Sequence, residues 1–143
     1  MSSFVSNLRA GFGPGAVDQQ IERMLQEVLS GTSTPNWIPA CNVWEDDNGF
    51  YVQVALPGWE PNQIDLEVNN QLLSVKGARE MASEDTGRYH LQEIGGTRFA
   101  RLFKLPAFVD QEQASATHKH GVLTISFPKR EEAKLRRIPI EGQ

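Results

Sequence analysis

Hydrophobic and polar residues alternate with a period of two through most of the middle of the chain, and with a helical period only before it. Ile64-Asp65-Leu66-Glu67-Val68 alternates strictly, aliphatic side chains on one face and carboxylates on the other, the pattern of a half-buried strand. Leu72-Leu73-Ser74-Val75-Lys76 follows as its partner across the turn Asn69-Asn70-Gln71 and ends at Gly77. Three further runs read as strands: Phe50 to Leu56, closed by Pro57-Gly58; Phe99 to Leu105, stopped by Pro106; and Val122 to Phe127, ended by Pro128. Proline lacks the ladder donor, so it marks where each run stops. Short strands with turn signals every eight to twelve residues or so predict an all-β, immunoglobulin-like antiparallel β-sandwich.

Ahead of the β region, Val17, Ile21, Met24 or Leu25, and Val28 fall on one stripe at helical spacing, with Asp18 in the first turn and Gly31 as a stop. Phe4, Val5, Leu8 and Phe12 add apolar weight before it. Nothing else in this segment covers the stripe, so it packs against the main domain, another subunit or a client. The chain therefore divides into an N-terminal arm at 1–36, a β domain at 37–129 and a C-terminal extension at 130–143.

Two segments break the strand pattern. Between Gly77 and Gly96 runs a polar excursion that contains Arg88-Tyr89-His90-Leu91-Gln92-Glu93-Ile94. A structureless loop of that size is unusual in a compact domain, and Tyr89, Leu91 and Ile94 predict a short strand whose partner lies in the same chain or in another. The second is Ile138-Pro139-Ile140, at the tip of a tail that runs Lys129-Arg130-Glu131-Glu132-Ala133-Lys134-Leu135-Arg136-Arg137. Pro139 fixes φ near −65° and holds both isoleucines extended. The pair is either a plug for a groove on another surface or a stray apolar pair at a frayed terminus.

Composition narrows the function classes. A formal net charge of −4 gives no reason to expect nucleic acid or an anionic membrane. No apolar run is long enough for a transmembrane helix, and the first residues lack the basic and apolar regions of a secretory signal, which makes the cytoplasm the default location. The single cysteine, Cys41, excludes an internal disulfide and reads as a small core filler in a strand. Catalysis requires a nucleophile, a base and an orienting group; Ser74 and Ser126 have no base nearby, and Gly11-Phe12-Gly13-Pro14-Gly15 lacks the strand and the Lys-Ser/Thr of a phosphate loop. His118 and His120 share a strand face, with His90 a distant third, and read as exposed polar residues rather than metal ligands. Asp65 and Glu67 read as a solvated face. No enzyme activity, cofactor or metal is expected.

The motifs then converge. Ala116-Thr117-His118-Lys119-His120-Gly121-Val122-Leu123 resembles the A-x-x-x-x-G-V-L signature of the α-crystallin domain in small heat shock proteins of bacterial and plant type. Leu56-Pro57-Gly58 resembles that family's L-P-G, Phe99-Ala100-Arg101 its F-x-R, and Ile138-Pro139-Ile140 its C-terminal I-x-I anchor, while Trp37-Ile38-Pro39 sits where members carry an aromatic and a proline before the first strand. The similarity runs from about residue 37 to 140. Asn42 departs from it, standing where many members carry aspartate.

The resemblance implies an ATP-independent holdase that binds partly unfolded client proteins, built from homodimers that assemble into a larger, exchanging homo-oligomer. It implies that Arg88, Tyr89, His90, Leu91 and Glu93 add a strand to the partner's sheet near Ile38 to Val43, with Arg101 at the dimer interface and Glu93 its carboxylate partner. It places the anchor in a groove with apolar walls from Leu66 and Val68 and space beside Ala114 and Ala116. Phe4, Leu8, Phe12, Ile21, Met24 and Leu25 make the arm the client contact. The rival readings are a monomeric CS-domain-like co-chaperone adaptor, which leaves the excursion and the anchor without a role, and a carbohydrate-binding sandwich using Trp37, Trp44 and Trp59, the last exposed at its turn.

Overall fold

The structure is a computed structural model that describes residues 35–80 and 87–142. The helical stripe of the arm and its apolar residues from Phe4 to Leu25 lie outside the described residues. Seven strands follow in order: β1 Cys41–Glu45, β2 Gly49–Ala55, β3 Ile64–Asn69, β4 Leu72–Ala78, β5 Arg98–Lys104, β6 Ser115–Lys119 and β7 Val122–Pro128. They form a four-stranded antiparallel sheet in the order β1-β2-β7-β6 and a three-stranded one in the order β3-β4-β5. The five runs at 50–56, 64–68, 72–76, 99–105 and 122–127 form strands within a residue or two of their expected ends, whereas the short strand expected at Tyr89 to Ile94 does not form within the chain, where residues 87–97 are in no strand.

The described residues divide into two compact units. One comprises 35–39, 58–80 and 87–105 and carries the three-stranded sheet; the other comprises 40–57 and 106–142 and carries the four-stranded sheet. In the four-stranded sheet, alternation buries Phe50, Val52 and Val54 on β2 and Leu123, Ile125 and Phe127 on β7, and the register pairs them as Phe50 with Phe127, Val52 with Ile125 and Val54 with Leu123. These cross-strand apolar pairs lock the register, because a one-residue slip would turn the whole set outward. In the three-stranded sheet, β4 is central and buries Leu72, Leu73, Ser74 and Val75 in succession, and continuous burial along a central strand explains its unbroken apolar run.

Both tight hairpins use left-handed residues. Asn70 and Gln71 (φ 52° and 63°) link β3 to β4, and His120 and Gly121 (φ 54° and 75°) link β6 to β7, as a two-residue turn matched to strand twist requires. The Gly121 turn is also where two sequence motifs meet: Leu56 N donates to Gly121 O at 2.8 Å, and a Cβ on Gly121 would lie 3.2 Å from Pro57 Cα. The glycine thus serves both the turn and the close approach of Leu56-Pro57.

The β1–β2 connection is held by one carboxylate. Asp46 Oδ1 accepts from Asn48 N (2.8 Å), Gly49 N (2.9 Å) and Tyr51 Oη (3.2 Å). The Asn48 N–H, with smaller help from Gly49, Tyr51 and the Lys129 charge, holds the Asp46 carboxyl below its ordinary value against a partial loss of hydration. Because the folded value lies below the unfolded one, this stabilisation is complete above about pH 3.9 and is lost as pH falls through the folded value. Asp46→Asn is expected to flatten that part of the dependence of the melting temperature on pH between 5 and 3, and differential scanning calorimetry of the two proteins checks it.

One expectation is corrected. Trp59 is not exposed at its turn but buried. Its ring stacks on Trp37 with centroids 6.1 Å apart and meets Phe99 edge-on at 5.0 Å. Aromatic burial of this kind outweighs the turn's tendency towards exposure, because a tryptophan removes a large apolar surface from water. Trp59 is therefore packed interior, with the half-buried Trp37 stacked over it.

Candidate functional site

The edge strands β3 and β6 carry three of the four residues expected to line the anchor groove, Leu66, Val68 and Ala116. On β3, Leu66 pairs with Val75 and Val68 with Leu73. They share the phase of these buried partners, yet they remain half-buried while Asp65 and Glu67 are exposed. On β6, Ala116 pairs with the buried Ile125 and shares its phase, yet it is exposed. Ala114 caps the short 3-10 turn Gln111–Gln113 and lies just ahead of β6. Leu66 and Val68 belong to one unit, Ala114 and Ala116 to the other. In each sheet an edge strand thus keeps core-facing positions incompletely covered, a condition that proteins normally manage by covering the edge.

The tail leaves the four-stranded sheet under tight control and then loses contact. Arg130 N donates to Phe108 O at 2.8 Å and Arg130 Nε to Val109 O at 3.1 Å. A short 3-10 turn, Glu131–Ala133, follows, with Lys134 Nζ 2.8 Å from Glu131 Oε1. Beyond it Leu135, Ile138 and Ile140 are exposed, Ile140 by 95%.

The excursion is similar. Residues 87–97 are in no strand, and Tyr89, Leu91 and Ile94 are exposed, Leu91 by 75%. Arg88, His90 and Glu93 are exposed with them. Within this chain, no strand among the described residues pairs with the segment.

Arg101 projects from β5 and its Nη1 donates to Pro39 O at 3.2 Å, with its guanidinium 5.6 Å from the Phe103 ring centroid. Its Nε is buried and finds no acceptor among the described residues. Within the chain its partner is thus a backbone carbonyl and not Glu93. Pro39 itself is fully buried just ahead of β1, and the bond to Arg101 lies within one unit.

Several other expectations resolve here. Cys41 opens β1 and is half-buried, in register with Val54. His118 lies in β6 opposite Leu123, but His120 sits in the left-handed turn beyond it; strand alternation does not carry through such a turn, so the two do not share a strand face. Among the described residues no three His, Cys, Asp or Glu side chains are grouped to hold a metal ion, and no helix is long and apolar enough to cross a membrane. Sequence reasoning missed Asn36 and Arg79, which bind the two stems of the excursion. The only local signals for them were the glycines at either stem, Gly77 and Gly95-Gly96.

Among the described residues, two antiparallel sheets with partly exposed edge positions are accompanied by an exposed apolar segment and an exposed apolar terminal pair. The Hsp20/alpha crystallin family matches residues 42–141, a span from β1 through the terminal isoleucines, and the chain belongs to that family. It is 34% identical over 114 residues to small heat shock protein C2 of Rickettsia felis, covering 79% of this chain and 74% of that one. It is 36% identical over 94 residues to a 17.8 kDa class I heat shock protein of Arabidopsis thaliana, covering 64% of this chain and 60% of that one. Among solved structures, a small heat-shock protein from Xylella fastidiosa matches with a TM-score of 0.63 and 34% identity over 74% of this chain and 98% of that one. The fold class is accordingly the immunoglobulin-like antiparallel β-sandwich of α-crystallin domains, and membership of this family gives the chain a chaperone's role.

Proposed function

We propose that this protein is an ATP-independent holdase: it captures partly unfolded proteins and keeps them from aggregating, as an exchanging oligomer of dimers. The observation that carries the reading is the pairing of unmet needs. The chain has apolar segments without cover (Tyr89, Leu91 and Ile94; Ile138 and Ile140) and edge strands with core-facing positions left open (Leu66, Val68, Ala116). Another copy supplies what each lacks. Residues 88–94 add as a strand beside the partner's residues 38–43, satisfying edge groups that otherwise template aggregation. The buried Arg101 Nε, which finds no acceptor among the described residues, takes one at that interface. Ile138 and Ile140 of one dimer seat against the edge strands of another, with Ala114 and Ala116 leaving them room.

Burying two isoleucines is worth about 3–6 kcal/mol gross, and ordering three or four tail residues costs about 1–2 kcal/mol each. These terms nearly cancel, so a single anchor binds weakly and assembly depends on many acting together. Exchange follows, and each release uncovers apolar surface for a client. The arm, with Phe4, Leu8, Phe12, Ile21, Met24 and Leu25, is the client contact; methionine and aromatic side chains adapt to irregular partners.

The test is suppression of light scattering from a heat-labile protein without nucleotide, alongside the native mass of the chaperone. The full chain is expected to suppress scattering near stoichiometric ratios and to run well above the dimer, and a chain lacking residues 1–35 is expected to form dimers that protect poorly. A monomeric full chain that leaves scattering unchanged would overturn the reading in favour of a monomeric adaptor. Full protection by the shortened chain would remove the arm as the client contact.

A further inference from the structure

Where the chain leaves β4 and returns to β5, four stretches separate in sequence close into a ring of contacts. Arg79 N donates to Thr97 O at 2.9 Å, which would by itself be the last rung between the two stems. The Arg79 side chain adds two bonds in different directions: Nε to Gly96 O and Nη1 to Gly58 O, each 2.9 Å. Its guanidinium lies 4.4 Å from the Trp59 ring centroid, and Trp59 stacks on Trp37 with the planes only 5° apart. Trp37 returns the path to Gly96, where an added Cβ would come within 2.6 Å of it. Beside this ring, Asn36 grips the return stem. Its Oδ1 accepts from Thr97 N and Arg98 N at 3.1 Å each, its Nδ2 donates to Thr97 Oγ1 at 2.8 Å, and its N donates to Arg98 O at 3.1 Å.

Each contact has a chemical requirement. Only arginine has a planar fork that can donate to carbonyls on two segments while its face stacks on an indole. Only glycine at 96 lets the backbone approach Trp37 so closely. These bonds end at Gly96, and Tyr89, Leu91 and Ile94 just before it are exposed. The ring therefore fixes the direction in which the apolar segment departs from the sheet. Asn36 and Trp37 tie that direction to the position where the chain emerges from the N-terminal arm.

We propose that Arg79 is a positioning residue for dimer assembly: with Gly96, Trp37 and Trp59 it forms a clasp that aims residues 87–95 at the partner subunit and couples their aim to the base of the N-terminal arm. The proposal rests on the dimer reading above. A segment held in its docking direction loses less freedom on docking, so the clasp tightens the dimer and slows exchange without adding any contact to the partner.

The experiment compares the full chain with Arg79→Lys, which keeps the charge but cannot stack flat while donating to both carbonyls. It measures subunit exchange by fluorescence energy transfer between labelled chains, and amide hydrogen exchange resolved by segment. Exchange about tenfold faster or more, the scale of losing one charge-assisted hydrogen bond, is expected, with amide protection lost in residues 87–97 while β4 and β5 keep theirs. Subunit exchange at the wild-type rate would overturn the proposal. So would protection lost equally across β4 and β5, which would make Arg79 a residue of general stability. Should Arg79→Lys not fold, Gly96→Ala opens the ring from the side of Trp37 and is expected to speed exchange alike; a wild-type rate in that variant overturns the clasp as well. If the unaltered chain shows no dimer, the dimer reading itself fails and the proposal with it, a result read before any variant is made.

Discussion

Replacing Ile138 and Ile140 together by alanine should reduce the assembly to dimers, read as native mass by size-exclusion chromatography with light scattering. Both side chains are almost wholly in water in the single chain, so the substitution removes nothing from the folded domain, and its melting temperature should stay within the small range typical of exposed positions. What disappears is the gain on docking, about 3–6 kcal/mol gross per tail. Since that gain is nearly balanced by the ordering cost of the tail, halving it is enough to empty the site, and loss of avidity multiplies the effect over every tail in the particle. A complementary change tests the receptor. Ala116 holds the core-facing phase of β6 but is exposed, and Ala116→Leu takes the space proposed for an anchor isoleucine. It should yield the same dimers with the tail intact. An assembly of undiminished mass in both variants would dismiss the anchor.

Arg101→Ala should have the largest effect on the dimer itself. The side chain donates to the buried Pro39 through a charged group, a bond worth about 1.5–3 kcal/mol, and its half-buried position puts the loss towards the lower part of that range. Unfolding by urea at low protein concentration should register this loss within each chain. Sedimentation equilibrium should show a further weakening of dimerisation, because the Nε that awaits an acceptor disappears too. Arg101→Lys should recover part of the stability and little of the dimer, since a lysine cannot serve two acceptors in a fixed plane. Equal loss on both measurements would confine Arg101 to the fold of its own chain.

The legible features of this chain were those set by neighbours in sequence. Strict alternation at Ile64–Val68 became β3 with alternating burial, and proline stops at 57, 106 and 128 ended the strands they were expected to end. Exposure of Ile138 and Ile140 followed from the charged residues around them. The errors came from the same source. Trp59 was assigned to solvent because it follows Pro57-Gly58, and His118 and His120 were put on one face because they are two residues apart. The first is buried by Trp37 and Phe99, and the second pair is separated by a left-handed turn. Within its own chain Arg101 donates to a carbonyl that carries no side-chain signature at all.

The sequence by itself determined five of the strands, the turn that joins β3 to β4, the apolar character of the excursion and of the terminal pair and, through its motifs, the family. Periodicity, turn residues and local charge act over a few positions, and one strand's alternation states which of its faces is apolar without reference to anything distant. Only the tertiary structure decided which edge positions remain partly exposed, what Arg101 binds within the chain, and that Trp37, Gly58, Trp59, Arg79 and Gly96 close into one ring with Asn36 beside it. Those contacts join residues up to about sixty positions apart, through backbone carbonyls and ring faces available at almost any residue. Their partners are chosen by where packing brings the chain, which no local pattern specifies.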